Sequence, residues 1–275
     1  MAKTFLITGV SSGFGRALAE AAVNDGHIVA GTVRNDADKT TFEALGRSAH
    51  AVILDVTNTA AIAPAVAGIE TRIGAIDVLV NNAGYGHEGI LEESSIDDLR
   101  RQFEVNVFGA VAMIQAVLPS MRKRRAGHIL NITSMGGIIT LPGLSYYHGS
   151  KFALEGISES LGKEVKDLGI KVTAVEPGGF RTDWAGRSMV RAGRSIGDYD
   201  AVMEPVRKRR MEMSGRQVGD PTKAAQAMLK VALSDNPPAH LLLGSDAVRM
   251  VEEKIKSLQA EFDAWKSVSL STDVT

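Results

Sequence analysis

Short apolar runs alternate along the chain with stretches whose apolar residues recur at every third or fourth position. The runs 5–8, 28–33, 51–55, 78–80, 128–132 and 171–175, with 241–243 as a seventh, are rich in strand-forming residues and bounded by Gly, Asn or Asp. They are apolar on both alternations, which suits strands covered on both faces. Helical periodicity marks 14–25, 36–46, 59–73, 95–124, 147–168 and 221–234. In the fourth of these, Phe103, Val107, Ala110, Val111, Ile114 and Leu118 share one stripe. Strands joined by crossover helices predict an α/β fold, a Rossmann-like doubly wound parallel sheet of about seven strands with helices on both faces. No repeat or linker interrupts 1–275, so one domain is expected.

Two regions break this rhythm. Between 180 and 220 come Trp184, Met189, Met203, Met211, Met213 and many arginines. This insertion after the sixth strand reads either as a lid over an apolar pocket, since Met adapts to irregular shapes, or as a surface helical hairpin. Beyond about 245 the pattern assigns no element, and the polar stretch 267–275 is expected to fray.

Composition mostly excludes. The 275 residues contain no cysteine, which removes disulfides, thiolate nucleophiles and thiolate-bound metals and fits a cytoplasmic protein. A net charge of −1 offers no general attraction to nucleic acid or membrane. The basic runs 122–125 and 207–210 read as solvated helix ends. No run of eighteen apolar residues is present, and none near the start is long enough for a leader. Histidines 27, 50, 87, 128, 148 and 240 lack ligand spacing, so no metal is expected.

The first strand runs directly into Thr8-Gly9-Val10-Ser11-Ser12-Gly13-Phe14-Gly15, and a helical pattern follows. Pyrophosphate binds where a helix begins, because unpaired N–H groups and the helix dipole both face it. Gly9, Ser11, Ser12, Gly13, Phe14 and Gly15 are therefore candidate cofactor contacts. The second strand ends Thr32-Val33-Arg34-Asn35, which places a cation at the adenosine ribose. Arg34 there favours a 2′-phosphate, hence NADP(H). Asp36 would favour NAD(H) if the strand ended two residues later.

A second candidate site lies between Ser134 and Lys151. Tyr147 and Lys151 stand four apart, so a helix starting near Tyr146 stacks them on one face. An ammonium beside a phenol can turn a weak acid into a usable base. A buried Tyr and a snorkelling Lys would have the same spacing. Tyr146 points about 100° away around such a helix and is read as packing.

Together these residues resemble the short-chain dehydrogenase/reductase family over roughly 3–245, in its single-domain form. The matching motifs are Thr8–Gly15, Asp55 with Val56, Asn81-Asn82-Ala83-Gly84, Asn106, Ser134, Tyr147 with Lys151, Pro177-Gly178 and Thr182. The stretch from Pro177 to Asp183 resembles the branch of hydroxysteroid and retinol dehydrogenase-like members. The resemblance implies reversible hydride transfer on the pro-S face between the nicotinamide and an alcohol or ketone. Asn106, Ser134, Tyr147 and Lys151 are then the catalytic set, with Tyr147 exchanging the proton, Ser134 and Tyr147 holding the substrate oxygen, and Asn106 anchoring a water. It further implies cofactor contacts at Asp55, Val56, Asn82, Ala83, Gly84, Tyr147, Lys151, Pro177, Gly178 and Thr182.

Leu141, Leu144, Phe180, Trp184 and the Met-bearing segment predict a hydrophobic substrate, whereas Arg181, Arg187 and Arg191 could meet an acid group. Tyr85 and His87 are candidate contacts at the pocket rim. His148 is read as facing outward, with substrate contact as the alternative. The face around Phe108, Ala112 and Gln115 permits a homodimer or homotetramer. The competing functional reading is a non-catalytic dinucleotide-binding redox sensor. Such members of the family usually lose the Tyr or the Lys that this chain keeps.

Overall fold

The computed structural model describes residues 2–186 and 188–274. In chain order it contains β1 (Thr4–Ile7), α1 (Gly13–Asn24), β2 (Ile28–Val33), α2 (Asp36–Glu43), β3 (Ala49–Ile53), α3 (Thr59–Arg72), β4 (Val78–Asn81) and β5 (Gly86–Glu88). There follow α4 (Ile96–Phe103), α5 (Gly109–Arg124), β6 (Gly127–Ile132), α6 (Ser145–Val165), β7 (Ile170–Pro177), β8 (Met189–Arg191), α7 (Asp200–Met213), α8 (Pro221–Ala232), β9 (His240–Leu243) and α9 (Ser245–Leu270).

Seven strands form one parallel sheet in the order β3-β2-β1-β4-β6-β7-β9. The order reverses between β1 and β4, and ligands of such sheets bind beyond the strand ends at that point. Alternate residues of β1 enter opposite cores, as the two-residue period of a strand requires. Phe5 and Ile7 meet Leu18 and Ala22 of α1 and Ala225 and Met228 of α8. Leu6 lies with Ile62, Val66, Met113 and Val117 of α3 and α5. This two-sided burial explains why the strand runs carry no polar alternation.

The expected sheet is present, with strand ends shifted by a residue or two. Three expectations need correction. The single helix 95–124 is broken by a π-helical turn, Glu104–Phe108, which separates α4 from α5. Beyond 245, where the pattern assigned no element, lies the 26-residue helix α9, which takes in the first four residues of the stretch expected to fray. Its start is anchored by buried Ala247 and Val251, while Ile255, Phe262 and Trp265 stand exposed further along. Third, the insertion adds β8, which pairs in parallel with β5 in a second, two-stranded sheet. Three-residue strands are too short to show periodicity.

The rod Ile96–Arg124 is the one helical stretch, among the described residues, long and apolar enough to cross a membrane by length and composition. The mean hydropathy of 1.4 over its most apolar 18 residues has a packing explanation, because Met113, Val117 and Met121 fill the core.

Helix α2 approaches β2 closely because position 31 is glycine. A Cβ there would lie 2.5 Å from Val10 Cγ2 and 2.6 Å from Phe42 Cζ. Replacing Gly31 by Ala should destabilise the fold by about 1–3 kcal/mol through overpacking, read by urea unfolding. A loss under about 0.5 kcal/mol would mean that α2 can retreat freely.

Candidate active site

The site begins where β1 ends. Thr8 Oγ1 accepts hydrogen bonds from the amides of Asn82 (3.0 Å) and Ala83 (2.9 Å). Asn82 Nδ2 donates in return to the carbonyls of Thr8 and Gly9, both at 2.9 Å. This clasp fixes the glycine loop to the end of β4, across the point where strand order reverses. Gly9 has φ +72, and a Cβ on Gly15 would fall 2.4 Å from Asn82 Nδ2 and from the Gly9 carbonyl. Ser12 is extended and its side chain does not cap α1, so the first-turn amides stay open towards a ligand. These features fit a dinucleotide diphosphate.

Arg34 leaves β2 beside Ser11 and Thr32, lines the cleft, and makes no hydrogen bond or ion pair with the described residues. Because the strand ends at Val33, Asp36 falls in the first turn of α2, outside the cleft wall. Asp55 and Val56 line the neighbouring wall, with Asp55 Oδ1 accepting from Thr57 N at 2.9 Å. Asn82, Ala83, Gly84, Pro177, Gly178 and Thr182 continue the same wall. Gly15 stands behind it, where its lack of a side chain lets Asn82 close the clasp.

Ser134 follows β6 and caps a short turn, its Oγ accepting from Gly136 N at 2.9 Å. Helix α6 delivers Tyr147 and Lys151 to the same floor, both buried. Lys151 Nζ donates to the Ile132 carbonyl at 2.8 Å and lies 5.8 Å from the centre of the Tyr147 ring. Burial pushes the Tyr147 phenol up to about 12, against a smaller opposite pull from a hydrogen bond with Ser134. Burial also pushes Lys151 down to about 8, opposed by the charge of Glu155. The expected depression of the phenol by the lysine is therefore not a property of these side chains alone. At neutral pH the pair is a protonated phenol beside an ammonium.

Asn106 sits in the π-helical turn and outside the cleft wall. Its Nδ2 donates to Tyr85 O (3.1 Å) and Ser150 Oγ (3.0 Å), and its Oδ1 accepts from Tyr85 N (3.1 Å). Ser150 Oγ in turn donates to Tyr147 O at 2.7 Å. The side chain braces the backbone that carries Tyr147. A π-turn inside a helix frequently marks such functional positions.

His148 does not face outward. It is buried, with Nδ1 donating to Gly136 O at 2.7 Å and Nε2 accepting from Leu141 N at 2.9 Å. It staples the loop after Ser134 to α6, and its burial lowers its pKa. His148 also lines the cleft, whereas His87 does not; it lies buried against the Tyr146 ring, 3.9 Å from Asp98. Tyr85 does line the cleft. Tyr146 packs as expected, its hydroxyl donating to Ser94 O at 2.9 Å.

The cleft, of about 1080 Å³, runs from Arg34 past Tyr147 to Glu88, Arg191 and Arg210. Leu141, Leu144, Tyr147, Trp184 and Met189 make its apolar middle, with the Tyr147 and Trp184 rings 5.1 Å apart. The inserted segment lines one side of the cleft through Trp184, Met189 and Arg210, while Met211 points into solvent. Phe180 lines the wall against Phe14. Arg181 is exposed and bonded to Gln217 O, and Arg187 lies outside the described residues.

Sequence spacing missed one cluster altogether. Glu155, one turn beyond Lys151 on α6, meets Glu176 of β7 and His240 of β9. His240 Nδ1 is 2.7 Å from Glu176 Oε1 and 3.5 Å from Glu155 Oε2. The three donor groups lie within 4.8 Å of one another, a cation-compatible spacing that no histidine motif announced. Burial pushes Glu155 up to about 7 and raises Glu176 as well. Burial acts to lower His240, but the adjoining carboxylates outweigh it and raise its pKa.

All three groups hold protons in the folded state that the unfolded chain would release. Their contribution to stability is present at low pH and lost as pH rises, from the ordinary carboxylate range through about 7. Glu155→Gln removes part of that uptake. Its melting temperature relative to the unaltered chain should be more favourable at pH 8 than at pH 5.5. An unchanged difference across this range would rule out the shared-proton account.

Comparison with known proteins agrees with this geometry. The family described as short chain dehydrogenase matches residues 3–190. Oxidoreductase BOA17 of Botryotinia fuckeliana (strain B05.10) is 39% identical over 274 residues, spanning 99% of this chain and 100% of that one. Retinol dehydrogenase 8 of Homo sapiens is 35% identical over 250 residues, 86% of this chain and 79% of that one. The crystal structure of a short-chain dehydrogenase from Streptomyces avermitilis superposes with a TM-score of 0.92 at 41% identity, covering 99% and 98% of the two chains. The closed form of a serine dehydrogenase complexed with NADP+ follows at TM-score 0.75 and 26% identity, covering 87% and 94%.

Proposed function

This chain belongs to the short-chain dehydrogenase/reductase family of oxidoreductases, and on that basis we propose that it reduces a hydrophobic ketone with NADPH. The observation that carries the proposal is a buried, protonated Tyr147 between Ser134 and Lys151, on the wall of the cleft that also holds the glycine loop. A bound nicotinamide dinucleotide supplies the hydride. The chain supplies the rest. Its open first-turn amides and Gly9 turn hold the diphosphate, and Arg34 pairs with the 2′-phosphate.

Tyr147 gives its proton to the carbonyl oxygen as that oxygen gains charge, and Ser134 donates a hydrogen bond to the same atom. Lys151 then faces a phenolate, which its charge stabilises. With the phenol near 12 and the ammonium near 8, Tyr147 carries its proton at neutral pH, which is the form that reduction consumes. Asn106 acts by holding the backbone under Tyr147, and the water expected of it belongs to this proposal. The apolar middle of the cleft and kinship to an enzyme named for retinol support a hydrophobic substrate. Self-association through the exposed ring of Phe108 belongs to the same proposal. No observation favours the redox-sensor reading, since Tyr147 and Lys151 both reach the cleft.

Tyr147→Phe keeps the ring packing and removes the transferable proton. The variant should lose about 10²–10⁴-fold in kcat and keep its affinity for NADPH, measured with a ketone found by screening at the absorbance of the reduced nicotinamide. Retention of a tenth of the rate would show that another group moves the proton.

Arg34→Ala tests the cofactor. Loss of a charge-assisted contact worth about 1.5–3 kcal/mol should lower kcat/KM for NADPH by roughly 10–100-fold and leave NADH nearly untouched. A chain that already prefers NADH tenfold would sink the assignment.

A further inference from the structure

The turn after β7 forms part of the cleft wall, and a residue far along the chain holds it there. Pro177, Gly178 and Gly179 line the cleft between Ser134 and Thr182. Gly178 N donates to Leu243 O at 2.8 Å, which continues the ladder between β7 and β9. Gly179 N leaves that ladder and donates to Asp246 Oδ2 at 2.7 Å. Asp246 is the second residue of α9 and is no part of the cleft lining. It reaches the turn from behind.

Three glycines make room for this carboxylate. A Cβ on Gly178 would lie 2.3 Å from Asp246 Oδ1, one on Gly244 would lie 2.7 Å from the same oxygen, and one on Gly179 would lie 3.2 Å from Oδ2. Oδ1 is buried there and accepts no hydrogen bond from the described residues. The first turn of α9 favours an acid at this position, because the helix dipole is positive at its start. A main-chain amide bonded to a carboxylate is also held more strongly than one bonded to a neutral acceptor.

The turn is gripped from both sides. Gly219, in the inserted segment, donates its amide to Gly179 O at 3.0 Å, while α9 takes the Gly179 amide. What the turn carries makes its position matter. The Pro177 carbonyl stands 3.5 Å from Ser134 Oγ, the hydroxyl assigned above to the substrate oxygen.

We infer that Asp246 is a positioning residue for the reduction: by holding Gly179 it sets the wall that receives the nicotinamide and the carbonyl that faces Ser134. This rests on the reductase reading above, in which the diphosphate lies at the glycine loop and the nicotinamide end lies towards Tyr147. Helix α9 is then a working part of the site, although it lies beyond the stretch 3–190 that matches the family.

Adenosine 2′,5′-bisphosphate carries the 2′-phosphate of the cofactor but no nicotinamide, so it reports on the Arg34 end of the cleft alone. In Asp246→Ala, calorimetry should show NADP+ binding weakened about tenfold and adenosine 2′,5′-bisphosphate binding changed less than about twofold. In the same variant kcat for a ketone found by screening should fall about 10–100-fold. Gly178→Ala should act in the same sense, because its Cβ would point at Asp246 Oδ1 behind the wall. Asp246→Asn keeps an oxygen acceptor for the Gly179 amide and should stay within about threefold of the unaltered chain. The ratio of the two affinities is internal to each folded variant, so partial loss of folded protein does not move it.

Equal weakening of the two ligands, or Asp246→Ala and Gly178→Ala that behave like the unaltered chain, would overturn the inference. So would a loss in Asp246→Asn as deep as in Asp246→Ala. A ratio that shifts in a chain that reduces no carbonyl compound keeps the hold on the dinucleotide and refutes the reductase. Ketones reduced with an unmoved ratio do the reverse. A chain that binds neither ligand overturns both.

Discussion

Thr8 and Asn82 hold together two strand ends that the sheet itself would leave as neighbours with open backbone. Their reciprocal hydrogen bonds use the hydroxyl, the amide side chain and both main chains at the reversal of strand order. The functional surfaces depend on this clasp. It sets the path of the glycine loop, which aims the amides of α1. It also sets Ala83 and Gly84 as the wall that faces Lys151. Gly15 belongs to the same device, because any side chain there would displace Asn82. A parallel sheet buries its strands, so the chemistry can gather only at their ends, and the clasp decides the shape of that end.

The second constraint is the burial of charge. Moving Lys151 from its usual 10.5 to about 8 corresponds to a cost on the order of 3 kcal/mol for keeping it protonated. One hydrogen bond from an ammonium to a carbonyl returns about 1.5–3 kcal/mol, which the Ile132 contact provides. The nearby Glu155 carboxyl adds attraction when ionised, yet its own burial keeps it partly protonated at neutral pH. The lysine is therefore held close to its limit, able to stabilise a negative charge that arises beside it during reaction. Tyr147 is the group on which such a charge would arise. The same burial that raises the phenol keeps it protonated at rest.

Motifs in which backbone and chemistry coincide were legible in the sequence. The glycine loop, Arg34 at the end of β2 and the four-residue spacing of Tyr147 and Lys151 each rest on local geometry, and the fold keeps them where the spacing puts them. Residues whose role depends on distant partners were not legible. His148 reads as an ordinary helix residue until the loop after Ser134 folds over it. Glu155, Glu176 and His240 lie on three separate elements, so no spacing joins them. The π-turn at Asn106 hides within a continuous apolar stripe, because an extra residue per turn barely disturbs a period of 3.6. Helix α9 was missed for another reason: its far half has apolar residues but no core to bury them in.

The inserted segment shows how both ends of the cleft are specified by one piece of chain. Its β8 pairs with β5, which brings Arg191 opposite Glu88 in register and lowers Met189 and Trp184 onto Tyr147. Helix α7 then carries Arg210 back across the opening to bond the Pro142 carbonyl. Apolar contact and guanidinium charge thus arrive together, since both depend on the same short strand pairing. A three-residue parallel ladder contributes little stability by itself. What keeps it is the packing of Met189 on one side and the ion cluster around Glu88 on the other.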